Sequence, residues 1–148
     1  PEYQKRLAAS RRQRDKKQAR YADEFRAAVL AFLDFAPKWC AMAERLADAV
    51  TEHAVPVGSG TVARTERISI EERAEAAVIA WMRHQTSNYD KMSVAHISGE
   101  RRRVRHEINL ESRAVLKEYR RGWDVDQRSC PLAKALRRFV REKDRQSD

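Results

Sequence analysis

The sequence predicts an all-α protein: a small bundle of about five or six helices with a basic N-terminal helical arm. Three observations lead there. Glycine and proline, the two helix breakers, occur only four times each in 148 residues. Helix-forming Ala, Arg, Glu and Leu are abundant throughout. No run alternates Val, Ile or Thr with polar residues at the two-residue period of a strand. The length suits one domain of ordinary size, and an apolar content of 42% supplies a core, although much of it is alanine.

Residues 1–20, PEYQKRLAASRRQRDKKQAR, form helix readily but lack an apolar face, since Tyr3, Leu7 and Ala8 stand isolated. An arm that is frayed or free until something binds it is expected. From Tyr21 the pattern changes. Tyr21, Phe25, Ala28, Val29, Phe32 and Leu33 recur at helical spacing. Pro37 interrupts the run, with Asp34 as a candidate cap for the helical segment beyond it. Trp39, Met42, Ala43, Leu46, Ala49 and Val50 then resume the period. Residues 21–50 are therefore one helix kinked near Pro37 or two helices meeting there, with Trp39 in the core. Residues 51–68 form a connecting loop around Pro56, Gly58, Ser59 and Gly60.

Ser69 and Glu72 have the S-x-x-E spacing of a capping box. Behind them Ala74, Ala77, Val78, Trp81 and Met82 make a core-facing stripe. Helix propensity falls at Gln85 to Asn88. Ser87 and Asp90 repeat the cap spacing, so a short helix carrying Tyr89, Met92, Val94 and Ile97 is expected to begin there. Ser98 is placed to cap the next helix, Glu100 to Arg121, whose apolar face is Val104, Ile108, Val115, Leu116 and Tyr119, with a less regular middle at Asn109 to Ser112. Gly122 is its stop. Pro131 suits the first turn of a last helix, with Leu132, Ala135, Leu136, Phe139 and Val140 inward. The tail DRQSD is expected to fray. The organisation predicted is an arm, 1–20, and a single helical domain, 21–148, with helical parts 21–50 and 69–148 around the loop. No internal repeat or sustained heptad is visible.

Charge is placed unevenly. The formal net charge is +9. Residues 1–20 hold eight basic and two acidic residues, +6; residues 21–148 hold 23 and 20, +3. A basic arm on a balanced body suits contact with phosphate, and equally a solvated charged helix. Cys40 and Cys130 stand far apart outside any CxxC, as expected of buried or partly buried free thiols in a reducing compartment. No apolar run approaches the roughly 20 residues of a membrane span, and no apolar leader segment is visible. A cytoplasmic location is expected.

Sequence motifs exclude several chemistries. His53, His84, His96 and His106 include no i, i+4 pair and have no neighbouring cysteine, so no metal is expected. Nucleophile-elbow, phosphate-loop and dinucleotide-binding glycine patterns are absent, so no cofactor is expected either. One cluster stands out: Arg83-His84-x-x-Ser87-x-Tyr89-Asp90 combines a fixed cation, an imidazole, a hydroxyl, a phenol and a carboxylate. Three uses remain open. Arg83 and His84 would grip a phosphate while Tyr89 stacks on a base; His84 would act as a general base held by Asp90; or the cluster is a polar helix joint capped by Ser87. Arg101, Arg102, Arg103, Arg105 and His106 come next, at a helix N-terminus, where the macrodipole disfavours cations. If the two helices fold back on each other, His84 and Arg103 would face one ligand.

The stretches AVIAWMRHQTSNYD and GERRRVRHEINLESRAVLKEYRRG resemble a family of bacterial and fungal conserved domains of unknown function. Its pattern is an apolar helix ending in Arg-His, then Thr-x-Tyr-Asp, then an arginine-rich helix. Arg83, His84, Tyr89 and Asp90 match, Ser87 replaces the threonine, and Arg102, Arg103, Val104, Arg105, Glu107, Val115 and Leu116 carry the later match. The resemblance covers about residues 70–122. It implies a helical domain and brings no activity.

The function expected is sequence-independent binding of DNA or RNA through basic surfaces: Arg11, Arg12, Arg14, Lys16 and Lys17 of the arm; Arg83, His84 and Tyr89; Arg101, Arg102, Arg103 and Arg105; and Arg137, Arg138 and Arg141 of the last helix. A small helical subunit of a nucleoprotein assembly, as in CRISPR effector complexes, has this size and charge by analogy of class alone. The alternatives are an adaptor for an acidic protein partner and a nucleic-acid-processing enzyme using Arg83, His84, Tyr89 and Asp90.

Overall fold

The structure, a computed structural model, describes residues 1–55, 68–87 and 99–147. Five α-helices are present among them and no strand. Helix α1 runs from Glu2 to Leu33 and α2 from Cys40 to Ala54, with a 3-10 turn, Pro37–Trp39, between. Helices α3, Ile70–Thr86, α4, Glu100–Arg120, and α5, Pro131–Ser147, complete the bundle. The apolar stripes of the sequence become the core. Phe25, Val29 and Leu33 of α1 meet Met42, Leu46 and Val50 of α2, Val78, Trp81 and Met82 of α3, Leu116 and Tyr119 of α4, and Leu132 and Leu136 of α5, all buried. Burial of each large side chain contributes about 2–3 kcal/mol. Helix α3 is central and packs against the other four.

The helix ends obey their sequence signals in part. Ser69 Oγ accepts the Glu72 N–H at 3.1 Å, as the capping spacing predicts. Gly122 takes φ +70°. Its N–H reaches the Tyr119 carbonyl at 3.2 Å while the Trp123 N–H reaches Glu118 at 3.1 Å, the paired closure of a Schellman stop. Pro131 opens α5. Asp34 behaves otherwise than expected. It closes α1 in the left-handed region, φ 48°, ψ 43°, and does not cap the turn after it. A short polar side chain tolerates that conformation better than most. Pro37 thus separates two helices. The N-cap of α4 is Gly99 at φ +92°, in place of the expected Ser98. Residues 51–54, expected in the loop, extend α2, and the tail continues α5 to Ser147.

The arm and the body share one helix. Residues 1–17 are all exposed, and burial begins at Gln18. About 16 residues of α1, roughly 24 Å at 1.5 Å per residue, therefore project past the bundle. The core half of α1 is held from both sides. Tyr21 accepts from Arg73 of α3 at 2.7 Å, and Arg26 pairs with Asp48 of α2 at 2.6 Å.

One joint closes the bundle at the far end. Tyr119 is fully buried, its ring stacked on Phe35 at 5.1 Å and edge-on to Trp39 at 5.0 Å. Its hydroxyl lies 3.0 Å from Cys130 Sγ and accepts from Gln127 Nε2 at 3.1 Å. Next to it, Arg120 donates from Nε to the Leu33 carbonyl (2.9 Å) and from Nη2 to the Phe32 carbonyl (3.0 Å), with its guanidinium 5.0 Å over the Phe32 ring. A cation from α4 thus satisfies the last carbonyls of α1, where the helix dipole is negative. The Ala36 N–H donates to the Tyr119 carbonyl at 3.0 Å. Cys130 is buried as expected, but Cys40 is exposed: it is the first residue of α2, on the solvent side of the stripe begun by Met42.

Gly122 and the buried phenol make this joint measurable, with Gly99 at the other end of α4 as the comparison. Gly122→Ala should destabilise the fold by about 1–2 kcal/mol in urea unfolding, because the new Cβ lies 3.0 Å from Ala36 Cβ at a positive φ. Gly99→Ala, which meets nothing within 4 Å, should cost less. Burial, then the Cys130 contact, raises the Tyr119 phenol above its ordinary value near 10. The unfolded chain then loses this proton at lower pH than the folded one, so stability is intact below pH 10 and declines as pH rises beyond it. Tyr119→Phe should cost about 1 kcal/mol at neutral pH and flatten that alkaline decline in unfolding curves.

Candidate nucleic-acid interface

Basic side chains fall into two groups by what they touch. One group works inside the fold. Arg103 lies between Glu100 at 2.9 Å and Glu107 at 2.8 Å on the first turns of α4, and the hydrogen bond to Glu100 raises its pKa. Arg138 donates to the Gln85 carbonyl at the end of α3 (2.6 Å), and Arg137 to the Gln127 carbonyl (2.8 Å). Arg113 pairs with Glu75 at 2.8 Å, Lys143 with Glu52 at 3.2 Å, and Lys38 with Asp124. Part of the body's charge is thus taken up in ion pairs between elements and within α4.

The other group faces water. Arg11, Arg12, Arg14, Lys16 and Lys17 lie on the projecting half of α1, every one exposed. None of them forms an ion pair with a described residue. Arg101 and Arg102 lie on the exposed start of α4, whose first two turns run beyond Ile108, the first buried residue of that helix; Arg105 is exposed there too but has a contact of its own. On α5, Arg141 is joined by Lys134 and Arg145, and Arg138, engaged at Gln85, lies on the same face. Their spacing of i, i+4, i+7 and i+11 puts all four on the solvent side, opposite Leu132 and Leu136. Lys134 and Arg145 therefore extend the basic stripe expected from Arg137, Arg138 and Arg141; the helical period alone identifies them.

The cluster at the end of α3 is arranged differently from its expected form. Arg83 is half-buried and His84 exposed. The His84 ring stacks on His53 of α2, centroids 6.2 Å apart and planes at 24°. Nothing in the sequence marks that pairing, since 31 positions separate the two histidines. Ser87 Oγ donates back to the Arg83 carbonyl, and Thr86 Oγ1 to the Met82 carbonyl, so both hydroxyls serve the last turn of α3. Tyr89 and Asp90, with the short helix expected there, lie outside the described residues. Convergence of His84 with Arg103 does not occur. Glu75 and Met82 turn towards α4, while His84 occupies the other side of α3 over His53. Arg103 meanwhile is held on α4 between two carboxylates. A small cavity of about 60 Å³ lies between α3, α4 and α5, lined by Met82, Thr86, Ile108, Ser112 and Leu132 among others. Among the described residues, no group of three His, Cys, Asp or Glu side chains is placed to hold a metal ion. No described helix is long and apolar enough to cross a membrane.

Residues 34–120 match the family described as "Uncharacterized conserved protein (DUF2293)". The chain belongs to this family. The matched segment runs from the residue that ends α1 to the arginine that caps it, so the joint of Asp34–Ala36 with Tyr119 and Arg120 brings the two ends of the DUF2293 segment together. All of α1 and all of α5 lie outside it. Nothing matches among curated proteins or among solved structures.

The two groups of cations separate by mutation. Arg120→Gln should lower stability by about 1.5–3 kcal/mol in denaturant unfolding, because a charged donor to two carbonyls is lost. Arg141→Gln, on an exposed face, should leave stability within about 0.5 kcal/mol.

Proposed function

We propose that the protein binds nucleic acid without sequence specificity, through phosphate contacts from its exposed basic helices. The observation that carries this reading is the projecting half of α1: residues 1–20 hold +6 of the +9 net charge, and their exposed cations form no ion pair with a described residue. In the body, by contrast, Arg26, Lys38, Arg103, Arg113 and Lys143 each meet a carboxylate. A helix carrying seven cations clear of the body, with Arg20 at its root, retains self-repulsion that binding to a polyanion relieves, with release of the polyanion's condensed counterions. Lys134, Arg141 and Arg145 on α5, with Arg101 and Arg102 on α4, offer further phosphate contacts. Such contacts give affinity and orientation with little base readout. In this reading the chain acts in the cytoplasm as a small helical subunit of a nucleoprotein assembly. The stacked His53 and His84 with Arg83 form a polar joint, and no catalytic role is assigned to them.

Binding of the full chain to labelled DNA and RNA across a salt titration tests the reading. With about six arm phosphates engaged, log K should fall with log salt at a slope near −5, about 10³-fold between 50 and 200 mM. Absence of binding to any nucleic acid at 50 mM salt removes the proposal. Tight binding to an acidic polypeptide in the same assay would move the reading to a protein adaptor.

A further inference from the structure

Resting on that reading, we propose that the ligand of the projecting helix is double-stranded B-form DNA, with residues 5–20 of α1 lying in the major groove. The placement of the cations around the helix is the first reason. At about 100° per residue, Lys5, Arg12, Lys16 and Arg20 share one arc, with Arg6 and Lys17 beside it. Arg11 and Arg14 fall on the opposite side, along the line that continues into Phe25 and Val29. A helix that rests on one flat polyanionic surface needs cations on one side only. A helix within a groove meets a phosphate wall on each side, and cations on both flanks then contribute.

Shape and composition narrow the ligand further. An α-helix with its side chains is about 10–12 Å across, and the B-form major groove is about 12 Å wide. The major groove of A-form RNA is too deep and narrow to admit it. Single strands are held by aromatic platforms on which bases stack. Between Lys5 and Arg20 there is no aromatic residue, and Tyr3 is the only one on the projecting half. The acidic residues of this half are Glu2 and Asp15 alone. The helix also arrives formed and rooted: Phe25, Val29 and Leu33 are fully buried, so the overhang is a continuation of a packed element. Ordering entropy on binding is reduced accordingly.

The test uses the full chain with four probes of one sequence: duplex DNA, the same duplex with its major groove filled by glucosylated bases, single-stranded DNA and duplex RNA. Two double variants at exposed positions accompany it, Arg11→Gln/Arg14→Gln and Arg12→Gln/Lys16→Gln, both checked for unchanged helix content by circular dichroism. Duplex DNA should bind at least about tenfold more tightly than the other three. Each double variant should weaken duplex binding by about tenfold or more and lower the salt slope by about two. Equal binding to the glucosylated duplex overturns the groove assignment, as does an effect confined to one double variant. Preference for single strands or duplex RNA overturns the inference while nucleic-acid binding itself stands. Failure to bind all four probes removes both.

Discussion

The bundle depends on how α4 closes against the end of α1. A helix of 32 residues ends in carbonyls with no partner of their own, and two of these lie at the edge of the core. Arg120 supplies a charged donor to both. Tyr119 beside it fills the space under the Pro37 turn with an aromatic ring between Phe35 and Trp39. The arginine needs the helix end to be where it is, and the tyrosine needs the turn to present Phe35. Each contact therefore makes sense only with the others. Ala36, in backbone contact with Tyr119 and in the path of any side chain at position 122, explains why α4 must stop at a glycine. The family match starts and stops at this joint, and Ala36 and Tyr119 bring the two ends of residues 34–120 together.

Arginine does two kinds of work in one chain. Arg120 and Arg138 both reach the carbonyl ends of helices, where the dipole and unpaired acceptors make a planar, always charged donor most effective. Arg103 is held between two glutamates on its own helix, which offsets its placement near the wrong end of the dipole. By contrast, the cations of the α1 overhang and the outer stripe of α5 sit on faces with no apolar neighbour to cover. Surface ion pairs contribute little to stability, so the fold loses little by leaving these charges to a ligand.

Helix ends are legible in the sequence only where one side chain or one backbone angle determines them. Ser69 caps because its hydroxyl reaches an N–H three residues on. Gly122 stops because it alone among neighbours adopts a left-handed φ without cost. Pro131 starts because it needs no donor. Asp34 ends a helix where its residue type suggests a beginning, because a residue tolerated in the left-handed region can do either. The choice rests on Tyr119 and Arg120, some 85 positions away. At the start of α4 the N-cap is Gly99, at a positive φ, where the sequence suggests Ser98. Residue type alone puts Cys40 inside, yet its position at the head of α2 is enough to turn it to solvent.

By itself the sequence determined the helices, their inward faces and the imbalance of charge, because each depends on periodicity within one element or on simple composition. Tertiary structure alone decided which charges are consumed. Arg103, Arg120 and Arg138 look no different in sequence from Arg12 or Arg141, and only their neighbours in space distinguish them. It also set His84 over His53, on the side of α3 away from α4. The reason is the same in both cases. Hydrogen bonds and ion pairs act over about 3–4 Å, and which groups come that close is settled by how the apolar faces pack.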